Sequence, residues 1–346
     1  MGPGPVRAVR FADGALWALD QTQLPWRERE LELRGAEDVV GALQRLSIRG
    51  APLIGVAAAY GVALELVRDP DGLDDACESL IAARPTAVNL IHAVRRVRAA
   101  AAAQPAGPER AAAALAEAEA LHAEEEAASE AIARHGADLL TGRRRILTHC
   151  NTGALAAPGR GTALAVIAEL ADRGEVELVL ACETRPLLQG ARLTVYELRR
   201  LGIEHALVVD AAAAGLIAAG EVDAVIVGCD RVAANGDVAN KVGTYAHALA
   251  AGAAGIPFVV AGPSTTIDPS TATGDEITIE ERDPDEVRSL IAGADGPRPL
   301  TVDGTPCRNP AFDVTPARLV TALVTDRGIA QPVTPTSVAA VLGRGG

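Results

Sequence analysis

From Val6 onward the chain alternates apolar and polar positions. In "VRAVRFADGALWALDQTQLPWRERELEL" the side chains change character about every second residue around the Asp13-Gly14 turn, the period of half-buried strands joined by a tight turn. A short antiparallel meander is expected there. From Ala36 to Leu66 the apolar positions recur at helical spacing, interrupted by "SIRGAPLIG", where Gly50 and Pro52 break the pattern before "VAAAYGVALELV" resumes it. Arg49 therefore sits just before a helix N-terminus. "ARPTAVNLIHAV" makes a second break, and Pro85 suits the first turn of the helix that follows. Gln104 to Arg110 reads as a linker, and Arg110 to Leu140 as an Ala/Glu-rich helix that connects two domains.

After Arg145 the rhythm changes. The runs "RILTHC", "VELVLAC", "HALVVD", "DAVIVGC" and "PFVVAG" are short and apolar, and helical segments such as "GTALAVIAELADRG" and "QGARLTVYELRRLG" separate them. Such alternation predicts βαβ units with right-handed crossovers, hence a Rossmann-like, doubly wound parallel sheet. The expected organisation is α/β: residues 1–142 form a domain with a small antiparallel sheet plus helices, and residues 143–346 a Rossmann-like catalytic domain. Ligands on such sheets bind beyond the carboxyl ends of the strands. The residues just after each strand are thus site candidates: Cys150, Glu183, Asp210, Asp230 and Gly262 to Ser264.

Composition narrows the partners. Only eight residues are Phe, Tyr or Trp, so the core must be built from Ala, Val, Leu and Ile, which suits helices packed closely on a parallel sheet. A net charge of −13 repels phosphate backbones and anionic membranes, so no nucleic-acid or membrane partner is expected, and any bound phosphate needs a local site. The five cysteines are odd in number, widely spaced and never arranged as CxxC, which favours a reducing cytoplasm and disfavours a structural zinc site. No apolar run reaches the roughly 18 residues of a membrane span, and the N-terminal stretch lacks the apolar block of a signal peptide. A cytoplasmic protein is expected.

Several stretches can carry chemistry. "THCNTGALA" sets Cys150 at a strand end ahead of a Gly-containing turn, where backbone N–H groups and a helix N-terminus favour a thiolate; an inert buried Cys, with His149 on the opposite sheet face, fits the same letters. "VGCDRVAANGDVANKVGTYAHAL" is longer than a βα turn requires, and such loops more often hold function. Asp230 opens it, and Asn240 and Lys241 precede the helix beginning near Gly243. Lys241 is the single lysine beside 31 arginines. A cation at a helix N-terminus opposes the macrodipole, so its presence there asks for an anion between them. In "CETRPLLQGARL", Glu183 and Arg185 read as an ion pair, and Gln189 as a first-turn residue. "PGRGTALAV" offers Gly159 and Gly161 ahead of a helix, with Glu183 near the place of a ribose-binding acid, but Leu164 stands where a third small residue is wanted and ten residues separate the pair from the strand. A nicotinamide site is not supported.

The motifs "SIRGAPLIGVAAAYG", "RPTAVNL", "THCNTGALA", "ETRPLLQGARLT", "GCDRVAANGDVANKVGTYAHA", "GPSTTID", "TGDEITIEERDPDEV" and "NPAFDVTP" occur in this order over about residues 47 to 328. Together they resemble the methylthioribose-1-phosphate isomerases, which share a superfamily with the regulatory alpha, beta and delta subunits of translation initiation factor 2B. The resemblance implies an aldose–ketose isomerase acting on a small sugar phosphate in methionine salvage, homodimeric, with no cofactor or metal. It further implies Cys150 and Asp230 as catalytic residues and Arg49, Gly50, Ala51, Arg84, Gln189, Asn240 and Lys241 as substrate contacts. Two alternatives remain within it: the same isomerisation on another 5-substituted ribose 1-phosphate such as 5-deoxyribose 1-phosphate, or a non-catalytic module like the initiation-factor subunits. The sequence departs from the usual pattern at Ile91 and His92, where aromatic residues are common, and at Cys229, where a small residue is usual. These changes bear on substrate choice more than on reaction type, and His92 reads as a core or interface residue.

Overall fold

The computed structural model describes residues 4–291, 293 and 296–343. The chain divides into two units: one comprises Val6–Ser129 and Ala154–Gly161, the other Glu130–Gly153 and the chain from Thr162 onward with the residues before Val6. The division falls inside a helix, at Ser129 and Glu130, whereas the sequence pattern puts a single boundary at residues 142/143. The return of 154–161 to the first unit has a hydrogen-bonded basis. The buried Gln21 side chain donates to Leu155 O (2.7 Å), Leu53 N–H to Ala156 O (3.2 Å) and Ser129 Oγ to Gly161 O (2.7 Å).

The first unit opens with the expected meander: β1 (Val9–Ala12), β2 (Ala15–Leu19) and β3 (Glu30–Leu33) pair antiparallel. Helices α1 (Ala36–Gln44), α2 (Ala51–Arg68), α3 (Leu73–Ala83) and α4 (Val88–Ala102) follow, then the start of α5 (Pro108–Leu140). Helix α2 corrects one expectation, because its 18 residues are long and apolar enough to cross a membrane. Yet 78% of it is buried within the protein, packed on α4. It is the central core helix of this unit, where Ala and Gly let neighbours approach on every side. Pro85 lies in the turn between α3 and α4 and not in the first turn of a helix; its ring restricts Arg84 before it. His92 is exposed on α4, not in the core.

The second unit is built on a sheet of β4 (Arg145–Thr148), β5 (Leu178–Cys182), β6 (His205–Val208), β7 (Ala224–Val227), β10 (Phe258–Ala261), β15 (Ala322–Thr325) and β16 (Gly328–Ala330). Between these lie α6 (Ala163–Asp172), a π-helical turn at Gly190–Thr194 running into α7 (Val195–Leu201), α8 (Ala213–Ala218), a hairpin of β8 (Arg231–Ala233) and β9 (Val238–Lys241), and α9 (Thr244–Ala254). Among the described residues the sheet order is β16-β15-β10-β7-β4-β5-β6, parallel except for β16. Side chains alternate between two apolar layers. Ile146, Val179, Ala181, Ala224 and Ile226 face α6 and the end of α5, while Leu147, Leu180, Cys182, Val225 and Val227 face α8 and α9. Burial on both faces is why these strands read as continuous apolar runs.

The polar insertion after β7, read from sequence as a loop, is instead the β8–β9 hairpin. It joins β11 (Ile267–Asp268) and, beyond α10 (Asp285–Arg288) and the β12 (Ser289–Ile291) and β13 (Pro297–Pro299) pair, β14 (Phe312–Thr315) in a second sheet ordered β11-β8-β9-β14. The last helix is α11 (Pro335–Val341).

Candidate active site

Counting only the strands of the large sheet in chain order, the spatial order is 7-6-5-4-1-2-3. The order reverses between β4 and β7, and the crevice at such a switch point is where an open α/β sheet binds ligands. Cys150 lies two residues past the end of β4, and Asp230 three residues past the end of β7. The two catalytic candidates therefore belong to the two strands that flank the switch point.

Cys150 is half-buried and has a φ of 63°, a left-handed conformation that a residue with a Cβ adopts only at some cost. Two hydroxyls hold it. Its N–H donates to Thr184 Oγ1 (2.8 Å), and its carbonyl accepts from Thr194 Oγ1 (2.6 Å). Next to it the buried Asn151 amide donates to Glu197 Oε1 (2.7 Å). Thr194 reaches the strand end because the π-helical turn presses against β5. A Cβ on Gly190 would stand 1.6 Å from the Cys182 carbonyl oxygen, so no other residue fits there without moving the backbone.

Asp230 receives its backbone position from β9, its N–H donating to Ala239 O (2.9 Å). The neighbouring Arg231 is committed to Asp268, Nη2 to Oδ2 at 2.5 Å. Asn240 and Lys241 are buried on β9, opposite Asp313 and Phe312 of β14. Lys241 Nζ donates to Ala311 O (2.7 Å) and lies 4.9 Å from the Phe312 ring centre. Burial pushes its ammonium below the usual lysine range, and the charges of Cys150 and Asp230 act in the opposite direction. The N-terminus of α9 is occupied by the Asp313 carboxylate, which accepts the N–H groups of Gly243 (2.7 Å) and Tyr245 (3.1 Å). Burial raises that carboxyl to about 6. The anion that the lysine and helix end ask for is thus, in part, the protein's own carboxylate. Gln189 is buried, and its Oε1 has no hydrogen-bond partner among the described residues, an acceptor suited to a sugar hydroxyl.

The expected Glu183–Arg185 ion pair does not form. The Arg185 guanidinium donates instead to the carbonyls of Pro186, Val287 and Ser289, tying the β5 end to the segment around α10.

Arg49, Gly50, Ala51 and Arg84 all lie in the other unit. Arg49 Nε donates to Gln21 Oε1 (3.0 Å), and Ala51 opens α2. Gly50 has a φ of 98°, and a Cβ there would meet Ala156 O at 2.3 Å. This close approach requires glycine at the helix entrance. Arg84 is half-buried and ends α3.

Among the described residues His149, Cys182 and His247 form a buried group whose ligand atoms lie within 4.8 Å of one another, a spacing open to a metal ion. Hydrogen bonds hold its two rings. His149 Nε2 meets Val242 O at 2.9 Å, which leaves Nδ1 as the acceptor for His247 Nε2 at 3.2 Å. Burial lowers His149 to about 4 and His247 to about 3, the latter lowered further by His149. Burial also raises the Cys182 thiol to about 12. Both rings are therefore neutral at pH 7, and the group is an uncharged brace between β4 and α9.

Strand-end reasoning located Cys150, Asp230 and Asp210 but missed Thr194, His247 and Asp313. The last two lie on elements that β4 and β9 meet only through long-range pairing. Thr184 had a signal, its position two residues past a predicted strand.

The sequence profile of the initiation factor 2 subunit family matches residues 47–332. The chain belongs to that family. Within it, the chain is similar to the methylthioribose-1-phosphate isomerase of Anaeromyxobacter dehalogenans, at 50% identity over 341 residues covering 97% of each chain. It is also 47% identical to the 5-deoxyribose 1-phosphate isomerase of Moorella thermoacetica, with 98% of each chain covered. Among solved structures, the 5-methylthioribose 1-phosphate isomerase of Pyrococcus horikoshii superposes with a TM-score of 0.88 at 36% identity, covering 97% of this chain and 96% of that one.

Proposed function

We propose that the protein is an aldose–ketose isomerase that converts S-methyl-5-thio-α-D-ribose 1-phosphate to S-methyl-5-thio-D-ribulose 1-phosphate in methionine salvage. The observation that carries this reading is the position of Cys150 and Asp230 after the two strands that flank the switch point, in a chain half identical to an isomerase of that name along nearly its whole length. With C1 held as a phosphate ester, the sugar cannot open freely to an aldehyde. Asp230 protonates the ring oxygen as the C1–O bond breaks. Cys150, as thiolate, takes the proton from C2 to leave an enol phosphate and returns it to C1, while Asp230 recovers a proton from the 2-hydroxyl as the ketone forms. Direct hydride transfer from C2 to C1 is the competing route, and deuterium at C1 after turnover in D2O tells the two apart. Lys241 supplies positive charge that acts on both groups, and Gln189 and Asn240 contact sugar hydroxyls.

The 47% identity to a 5-deoxyribose 1-phosphate isomerase favours that sugar as a second substrate. A panel of 5-substituted ribose 1-phosphates followed by phosphorus NMR is expected to give the highest kcat/KM with the methylthio sugar. A higher value for 5-deoxyribose reverses the order, and no turnover of any member sinks the enzyme reading. The exposed Leu207 and Val209 at the sheet edge, with Tyr245 and Leu249 on α9, support a homodimer. Light scattering should return twice the chain mass. We place the enzyme in the cytoplasm, where its thiols stay reduced.

A further inference from the structure

We propose that Thr184 is the positioning residue of Cys150: its side-chain oxygen, set in place by Asp210, holds the left-handed bend that presents the thiol. The inference rests on the catalytic reading of Cys150. A left-handed cysteine persists only where its surroundings over-determine it, and the Thr184 oxygen accepts the one N–H that the bend exposes. The geometry of Thr184 leaves little freedom. It is fully buried, and its own φ is 66°. Its N–H donates to Asp210 Oδ1 (2.8 Å) and the N–H of Arg185 to Asp210 Oδ2 (2.7 Å), so one carboxylate clamps two consecutive amides. The Thr184 hydroxyl has two acceptors within reach, Cys182 O (3.0 Å) and His149 Nδ1 (3.4 Å), and donating to either leaves a lone pair for Cys150 N–H. β-branching restricts the χ1 angle that aims the oxygen. The chain of contacts runs from Asp210 past β6, through Thr184 past β5, to Cys150 past β4, across three adjacent parallel strands. Asp210, a strand-end candidate, thereby acquires a role.

The test compares Thr184→Val, which keeps the shape and removes the oxygen, with Thr184→Ser, which keeps the oxygen. Thr184→Val is expected to lose about 100-fold in kcat with little change in KM, the size of effect that a displacement of about 1 Å causes. Thr184→Ser should restore most of that loss. Alkylation of Cys150 by iodoacetamide, followed peptide by peptide across pH, should shift its profile in the Val variant and not in the Ser variant, a readout that a general loss of packing would not move. Asp210→Asn, which turns an amide N–H2 toward a backbone N–H, should give the same signature. If Thr184→Val does not fold, Thr184→Ala carries the comparison. Wild-type kcat and alkylation in the oxygen-free variant overturn the proposal, as does an equal loss in Thr184→Ser. Cys150→Ala separates the two levels: if it is inert while Thr184→Val is fully active, only the positioning role fails, and if it is active, the catalytic reading fails first.

Discussion

Replacing Cys150 by alanine, or Asp230 by asparagine, is expected to lower kcat by about 100- to 10,000-fold, the range over which a positioned acid or base contributes. The fold should survive both changes. Cys150 and Asp230 are only half-buried, and neither belongs to the apolar layers on the two sheet faces. Asn keeps the shape of Asp230 and removes its proton, so an intact KM with a collapsed kcat is the signature of a group acting on the transition state. Steady-state kinetics beside circular dichroism is the check. If either variant retains more than about a tenth of the activity, below the least that such a group contributes, the assigned role is wrong.

The second large effect is on stability against pH. His149 and His247 have folded values of about 4 and about 3, lowered chiefly by burial, against about 6.5 in an unfolded chain. Between these limits the unfolded chain binds protons that the folded one refuses, so stability falls as pH drops from about 6.5 toward 4. At pH 5 each ring costs on the order of 2 kcal/mol relative to pH 7. The thermal midpoint should therefore fall from pH 7 to pH 5, and His247→Gln should flatten the dependence. An unchanged slope in that variant would mean that the pair is not its source.

Much of this was legible in local pattern. The meander around Asp13-Gly14, the helix entrance after Arg49 and the five strands after Arg145 all appear at the expected places. A strand buried on both faces, or a glycine forced by a close approach, leaves a mark in the residues themselves. The β8–β9 hairpin did not, because its polar, Gly-containing letters suit a loop as well as a strand whose partner is β14, some 70 residues away. Pro85 misled for a related reason: the letters suit a helix start, and the packing of α3 and α4 places them in a turn.

The sequence by itself determined the meander, the strands of the large sheet, the acidic net charge and the strand-end positions of Cys150 and Asp230, because each depends on residues near one another in the chain. Only the tertiary structure decided that β4 and β7 are neighbours across the point where strand order reverses. It likewise decided that Lys241 lies on a strand beneath Ala311 and Phe312, and that Thr184 reaches back to hold Cys150. Those contacts join segments 30 to 80 residues apart, and which of many possible pairings forms is settled by the burial of the whole sheet, not by any stretch of it.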